Sequence, residues 1–323
     1  MVNVPLIDTH CHLDFADNAT ELAAAYAACG GALSGTCDPR DFERVRMMLA
    51  PFASRVRVGL GLHPWWVADG TCGEGEVALF ERLAPVAPLI SEVGLDFQPR
   101  RAQTRDAQIE AFERVCLAAS RPLGEGEAAE RHAVGLDWRS AESEVGRRDN
   151  ARPVAGSSAE TPRRVMSIHS SAAAMCALDV LERTGCLDAC ICIFHWFSGS
   201  QEELTRAIDA GCLFSVNERM LKTKRGRAYA RAIPENRLLI ETDAPSKPGE
   251  AYPVESIAPR LERTMSLLAQ AREADALALA EAIAATSGGF SARDNEGATE
   301  FATRRNKRPK GRPSPRAPPS LAA

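Results

Sequence analysis

Two histidines separated by one residue, His10 and His12 in "LIDTHCHLDF", follow directly on an apolar run near the start of the chain. Side chains alternate along a strand, so both imidazoles face one way and Cys11 faces the other. One metal ion could take both, although a His-x-His pair is equally compatible with two hydrogen-bonded polar residues. Residues elsewhere decide between these readings. Glu92 in "ISEVGLDF", His169 in "SIHS", His195 in "FHWFSG" and Asp243 in "IETDAP" each stand at the end of an apolar, strand-like run. A carboxylate or imidazole so placed has to be paired or metal-bound to offset its desolvation. Four histidines and two carboxylates meeting at one level form a ligand set suited to two adjacent divalent ions.

The elements that would bring them together are short Val/Ile/Leu-rich runs alternating with helix-like stretches, the pattern of βα units and a parallel sheet. Eight runs qualify: "VPLIDTHCHL", "ALSGTC", "RVRVGLGLHP", "PLISEVGLDF", "VMSIHSS", "ACICIFHWFSG", "CLFSVNE" and "RLLIETDAP". Amphipathic helices are expected at 18–29, 40–53, 103–119, 200–211 and 224–232. The fold class is therefore α/β, a single-domain (β/α)8 TIM barrel over residues 1–290 with its functional groups at the C-terminal strand ends. Residues 124–162 are charged, Gly/Ser-rich and weakly periodic, and are expected to be a disordered insertion. Residues 291–323, with "RRNKRPKGRPSPRAPPS", are expected to be a disordered basic, Pro-rich tail.

With those words in view, the chain resembles the TatD family of metal-dependent deoxyribonucleases, among the amidohydrolase-like barrels. The words that match are "DTHCHLDF", "GLHPW", "EVGLDF", "IHS", "FHWFSGS" and "IETDAP", and the likeness runs from about Val4 to Leu123 and from Val165 to about Ala285. The resemblance implies that His10, His12 and Asp243 hold one ion, that His169 and His195 hold the other, and that Glu92 touches both. It also implies exonuclease-like hydrolysis of DNA; the residues themselves imply only metal-assisted hydrolysis. Two cations would stabilise the attacking and leaving oxygens of a phosphodiester, and Asp243 is the best placed general base. Imidazole with carboxylate suits Zn and Mn, and Mg competes by abundance.

Other residues keep two readings open. His63 in "GLHPWW" could contact a substrate phosphate or be a hydrogen-bonded strand-end histidine, since Pro64 follows it. Trp65 and Trp66 could stack on bases or pack over the barrel mouth. Lys222, Lys224 and Arg225 follow the seventh strand, where barrels often bind phosphate, and are candidate substrate contacts; the alternative is a solvated helix start. His132 lies in the expected insertion. Ten irregularly spaced cysteines point to reduced, buried thiols, and "CLDACIC" lacks the paired partner of a zinc site.

The net charge of −4 is uneven: seven Lys or Arg and no acid follow Phe301, which leaves about −11 on the residues before it. Such a body is not drawn to nucleic acid by its global charge, so a DNA partner would be held by a local basic patch or by bound cations. No run is long enough to cross a bilayer, and nothing implies an obligate protein partner. The opening "MVNVPLIDTH" has no charged n-region, h-region or small-residue cleavage site, so no secretion is expected. A cytoplasmic location is expected, with the basic tail leaving nuclear targeting open. Two competing functions remain: a deacylase or other ester or amide hydrolase using the same ions, and a catalytically inactive barrel acting as a binding module. The second follows from the insertion just before His169 and from "TSGGFSARDNEGATEF", which departs from the family's closing pattern.

Overall fold

Each of the eight expected runs forms a strand in the computed structural model, which describes residues 4–123 and 163–288. The strands are β1 (Leu6–Cys11), β2 (Gly30–Gly35), β3 (Val56–Gly59), β4 (Leu89–Asp96), β5 (Arg164–Ser171), β6 (Cys190–His195), β7 (Leu213–Val216) and β8 (Leu238–Ile240). All pairings are parallel, in the order β1-β2-β3 and β4-β5-β6-β7-β8. Two seams close the circle. Between β3 and β4, Leu60 N–H donates to Leu89 O (3.0 Å) and Ser91 N–H to Leu60 O (2.9 Å). Between β8 and β1, Asp243 N–H donates to His10 O (3.0 Å) and His12 N–H to Ala244 O (3.0 Å). The expected insertion at 124–162, with His132, and the tail at 291–323 lie outside the described residues.

Helices fill the connections. Those expected at 18–29, 103–119, 200–211 and 224–232 are Ala19–Cys29, Arg105–Ala119, Gln201–Asp209 and Lys224–Ala232. The one expected at 40–53 is shorter, Phe42–Met48, because Pro51 falls in a separate 3-10 turn at Ala50–Phe52. Helix Ala276–Gly288 packs on both β1 and β8 and so backs the second seam. No described helix is long and apolar enough to cross a membrane.

Two apolar regions follow from the period of two along each strand. One face of the strands packs outward on the helices, around Phe112, Phe194, Phe214 and Leu261. The other face forms a separate interior layer of Leu33, Leu89, Val165, Ile193, Leu213 and Leu239. This layer is the floor beneath the barrel mouth. Above it the inward residues turn polar: along β5 the series is Val165, Ser167, His169, and along β8 and its extension it is Leu239, Glu241, Asp243.

β5 begins at Arg164, whose side chain anchors it. Its buried guanidinium donates to Ala87 O (3.1 Å) and Ala84 O (2.9 Å), and also to the carbonyls of Ala119 and Arg121. A charged donor shared among carbonyls at the ends of two elements is costly to remove, since each is left without a partner. Arg164→Ala is expected to destabilise the chain by about 3 kcal/mol or more, read as a lower midpoint in urea unfolding. A midpoint within error of the parent's would show that β5 is held by its ladder alone.

Candidate active site

Glu92 is the centre of the mouth. Its side chain is 4% exposed and faces five imidazoles, sorted between its two oxygens. Oε2 lies 3.2 Å from His12 Nε2 and 3.7 Å from His10 Nε2. Oε1 lies 3.0 Å from His169 Nδ1, 3.0 Å from His195 Nε2 and 3.2 Å from His63 Nε2. Asp243 Oδ1 stands on the first side, 3.5 Å from His12 Nε2 and 3.9 Å from His10 Nε2. All six residues expected from sequence, His10, His12, Glu92, His169, His195 and Asp243, thus meet at one rim, joined by His63. Burial alone would push the Glu92 carboxyl up, but the imidazoles of His63 and His195 outweigh it and hold the group well below the usual carboxylate range.

The partners on the far side of each ring set where its proton sits. His12 Nδ1 faces the carbonyl of Gly35 (3.2 Å), an acceptor only, so in the neutral ring Nδ1 carries the hydrogen and Nε2 presents a lone pair to the site. Burial alone would favour that neutral form, but Cys37, Asp243 and Glu92 raise the pKa of His12 well above the usual imidazole range. His63 is reversed. Its Nδ1 accepts from Trp65 N–H (3.0 Å), capping helix Pro64–Ala68, so the neutral ring carries its hydrogen on Nε2 and is a donor there. His169 has a carboxylate at each nitrogen, Glu92 at Nδ1 and Asp96 Oδ2 at Nε2 (3.3 Å). Burial alone would lower its pKa, yet Asp96 and Glu92 raise it to about 9. His10 Nδ1 is bonded to Ser167 Oγ (2.6 Å) and its ring stacks on that of His195, with centroids 3.9 Å apart.

Do these groups fit a cation? His10 Nε2 and both nitrogens of His195 are buried without a hydrogen-bond partner among the described residues, although His195 Nε2 is close to Glu92. Buried polar atoms are nearly always satisfied, so His10 Nε2 and His195 Nε2, both turned to Glu92 and left unmet, are the donor set that a divalent ion completes, while His195 Nδ1 faces Glu241 Oε1 at 3.9 Å. The ligating atoms of His10, His12 and Asp243 lie within 4.8 Å of one another, as do those of His10, Glu92 and His195, and those of His63, Glu92 and His169. By the tautomer argument His63 contributes a hydrogen to its set and no lone pair.

Around this ring the cavity measures about 690 Å³, and its wall includes Trp65, Trp66, Arg101, Trp196 and Arg219. Lys222, Lys224 and Arg225 are exposed and are not among the lining residues; Lys222 pairs with Glu218 at 2.7 Å. The physical reason is local: the short helix Glu218–Lys222 brings Arg219 to the mouth, buries Met220 and Leu221 and leaves Lys222 exposed at its end, while Lys224 and Arg225 open the next helix, Lys224–Ala232, as exposed residues. Cys186, Cys190 and Cys192 are buried away from the mouth, and all ten cysteines are free thiols.

The chain matches a family profile described as TatD related DNase over residues 7–122 and 134–288. It belongs to the TatD family. Among curated relatives, a metal-dependent hydrolase of Escherichia coli, YjjV, is 26% identical over 288 residues, which is 86% of this chain and 94% of that protein. Deoxyribonuclease Tat-D of Schizosaccharomyces pombe is 43% identical over 53 residues, 16% of this chain and only 17% of that protein's length. The crystal structure of the Escherichia coli YjjV TatD homologue superposes with a TM-score of 0.59 at 20% identity, covering 90% of this chain and 99% of that one, a likeness of fold. The chain is thus a TatD-family barrel of the metal-dependent hydrolase class, and the ring on Glu92 is its candidate metal centre.

Several residues at this TatD centre escaped the sequence analysis. Asp96 orients His169, and it accepts from the indole Nε1–H of Trp65. It stands four residues after Glu92 in the quoted "EVGLDF", so strand alternation alone places it on the same face. Gly94 between them has φ +135, and a Cβ there would meet His169 O at 2.0 Å, so only glycine admits this approach of β5. Glu241, wholly buried, accepts from Ser215 Oγ and from Asn217 Nδ2 (2.8 Å), and burial together with Asp243 lifts its pKa well above the usual range. Cys37 lines the cavity beside His12 and has no sequence signal beyond its place at the end of β2.

Because His169 in the metal-free protein keeps its proton up to about pH 9, loading a divalent ion at pH 7 must displace it. Metal affinity is expected to rise with pH towards that value. Calorimetric titration of chelated protein with Zn or Mn, in buffers of different ionisation enthalpy, is expected to show net proton release at pH 7; binding without release would contradict the protonated His169.

Proposed function

We propose that this protein is a two-metal deoxyribonuclease that hydrolyses DNA phosphodiester bonds, acting at strand ends or single-stranded regions. The observation that carries the reading is the division of ligands between the two oxygens of Glu92. His10 and His12, with Asp243, stand on the Oε2 side, and His169 and His195 on the Oε1 side. These sets would hold one Mg, Mn or Zn ion each, with Glu92 between them. Bound divalent ions would supply positive charge to the attacked phosphate and a hydroxide-like nucleophile at neutral pH.

The chain's own groups do the rest. Asp243 is kept ionised, since burial raises its pKa but the bond to His12 outweighs it, so its carboxylate can accept a proton from the attacking water. Its backbone is left-handed, φ +51, at the point where β8 would otherwise continue, which turns the side chain into the mouth. His63 lines the cavity with its Nε2–H turned to Glu92 Oε1 (3.2 Å) and its Nδ1 fixing the ring, and with substrate bound it would offer that hydrogen to a phosphate oxygen. The Nδ1 bond supports the hydrogen-bonded reading of His63 left open by sequence, and the phosphate contact at Nε2 is part of the present proposal.

DNA as substrate is supported by the stretch shared with the yeast protein named a deoxyribonuclease and by the arginines and indoles of the cavity wall. The inactive-module alternative rested in part on displacement of β5, which instead lies in register between β4 and β6; most of the C-terminal segment it also drew on lies outside the described residues. Deacylation uses the same ions, and no residue of the mouth favours it.

Metal-reloaded protein is expected to shorten end-labelled single-stranded DNA, and complete chelation to abolish this. Asp243→Asn is expected to lower kcat by about 10²- to 10⁴-fold, the range of a general base, and Glu92→Gln to lower the metal content of the purified protein. Cleavage that survives chelation, or turnover of acylated substrates without any of DNA, would overturn the assignment.

A further inference from the structure

The cavity wall carries two copies of one arrangement, an arginine laid on a tryptophan. Arg101 Cζ is 3.9 Å from the ring centre of Trp65, and Arg219 Cζ is 5.5 Å from that of Trp196. Trp65 follows β3 and Arg101 follows β4; Trp196 follows β6 and Arg219 follows β7. In the circle of strands the two pairs therefore flank β5, which presents His169 between them. All four residues line the same cavity as Glu92.

The two pairs are held differently. Arg101 reaches Asp96 Oδ2 (3.7 Å), the carboxylate that also receives the Trp65 indole, so this pair is fixed to the partner of His169. Arg219 has no carboxylate partner among the described residues, while its neighbour Glu218 is taken by Lys222 and by Arg263 (3.7 Å). A guanidinium over an indole is oriented without being neutralised, and its N–H groups stay available to a phosphate. Trp65 is 41% exposed, which leaves indole surface for a base.

We propose that the pairs Arg101–Trp65 and Arg219–Trp196 are two nucleotide subsites that grip the phosphates on either side of the scissile one, with the indoles supporting the adjoining bases. The ligand is a single-stranded oligonucleotide with phosphates on both sides of the centre. This rests on the reading of the protein as a deoxyribonuclease and adds where the strand lies. It also answers the charge problem, because an acidic body then holds a polyanion through two local cations beside the metal centre.

The test is binding of a fluorescein-labelled single-stranded DNA oligonucleotide to chelated full-length protein, by anisotropy across a salt series, together with cleavage by the reloaded parent protein. Arg101→Ala and Arg219→Ala are each expected to weaken binding about tenfold and to reduce the slope of log Kd against log salt by about 0.7, the value for one phosphate contact on a single strand. Arg101→Lys and Arg219→Lys keep the charge and are expected to restore the slope, which separates a lost contact from a misfolded protein. Lys224→Ala, outside the cavity, is expected to match the parent. If the parent cleaves and binds DNA but both alanine variants keep its affinity and slope, the subsites are wrong and the nuclease reading stands. If the parent neither binds nor cleaves DNA, the nuclease reading falls and takes the subsites with it.

Discussion

One buried carboxylate facing five imidazoles is the constraint from which the rest of this barrel follows. Glu92 offers two oxygens to His10, His12, His63, His169 and His195, and hydrogen bonds alone do not satisfy that many ring nitrogens. Unmet polar atoms at such depth are expensive unless a cation completes them. The cluster is tolerable only because everything beneath and behind it is rigid. An apolar floor from six strands closes the barrel below, and a helical shell packs outside.

The same backbone groups that close the barrel also aim the site. The bond from Asp243 N–H to His10 O joins the last strand end to the first, and each of its residues contributes a side chain to the mouth. Site and closure are thus one structure, and loosening the seam would separate Asp243 from the imidazoles it faces. Outer partners add a second level of control. Gly35 O and the Trp65 amide determine which nitrogen of the neutral His12 and His63 rings carries hydrogen, making one an acceptor and the other a donor towards the site, and Asp96 holds the hydrogen on the far nitrogen of His169.

Much of this was legible before any coordinates. Alternation along apolar runs placed His10 with His12, and the repeated appearance of a polar residue at the end of such a run singled out Glu92, His169, His195 and Asp243. All eight strands lie where their Val/Ile/Leu content put them. The misses share a cause. Asp96 was inside a quoted motif but is recognised only through what it touches. Lys222, Lys224 and Arg225 formed the most basic stretch after a strand, yet charge density along the chain says nothing about which way a short helix turns, and Arg219 is the residue that reaches the wall. Arg101 stands in an ordinary polar loop, and only its place over Trp65 distinguishes it.

What the sequence determined by itself was the repeating βα unit and the residue types at the strand ends, because both depend on local periodicity and on the cost of burying a polar group at a known place in a strand. Only the tertiary structure decided how those ends are shared: which oxygen of Glu92 each imidazole faces, which nitrogen it offers, and which arginines stand beside the mouth. Those outcomes depend on contacts between residues far apart in the chain, such as Asp96 with His169 or Gly35 with His12. No local pattern encodes such contacts, because they exist only once the circle of strands has closed.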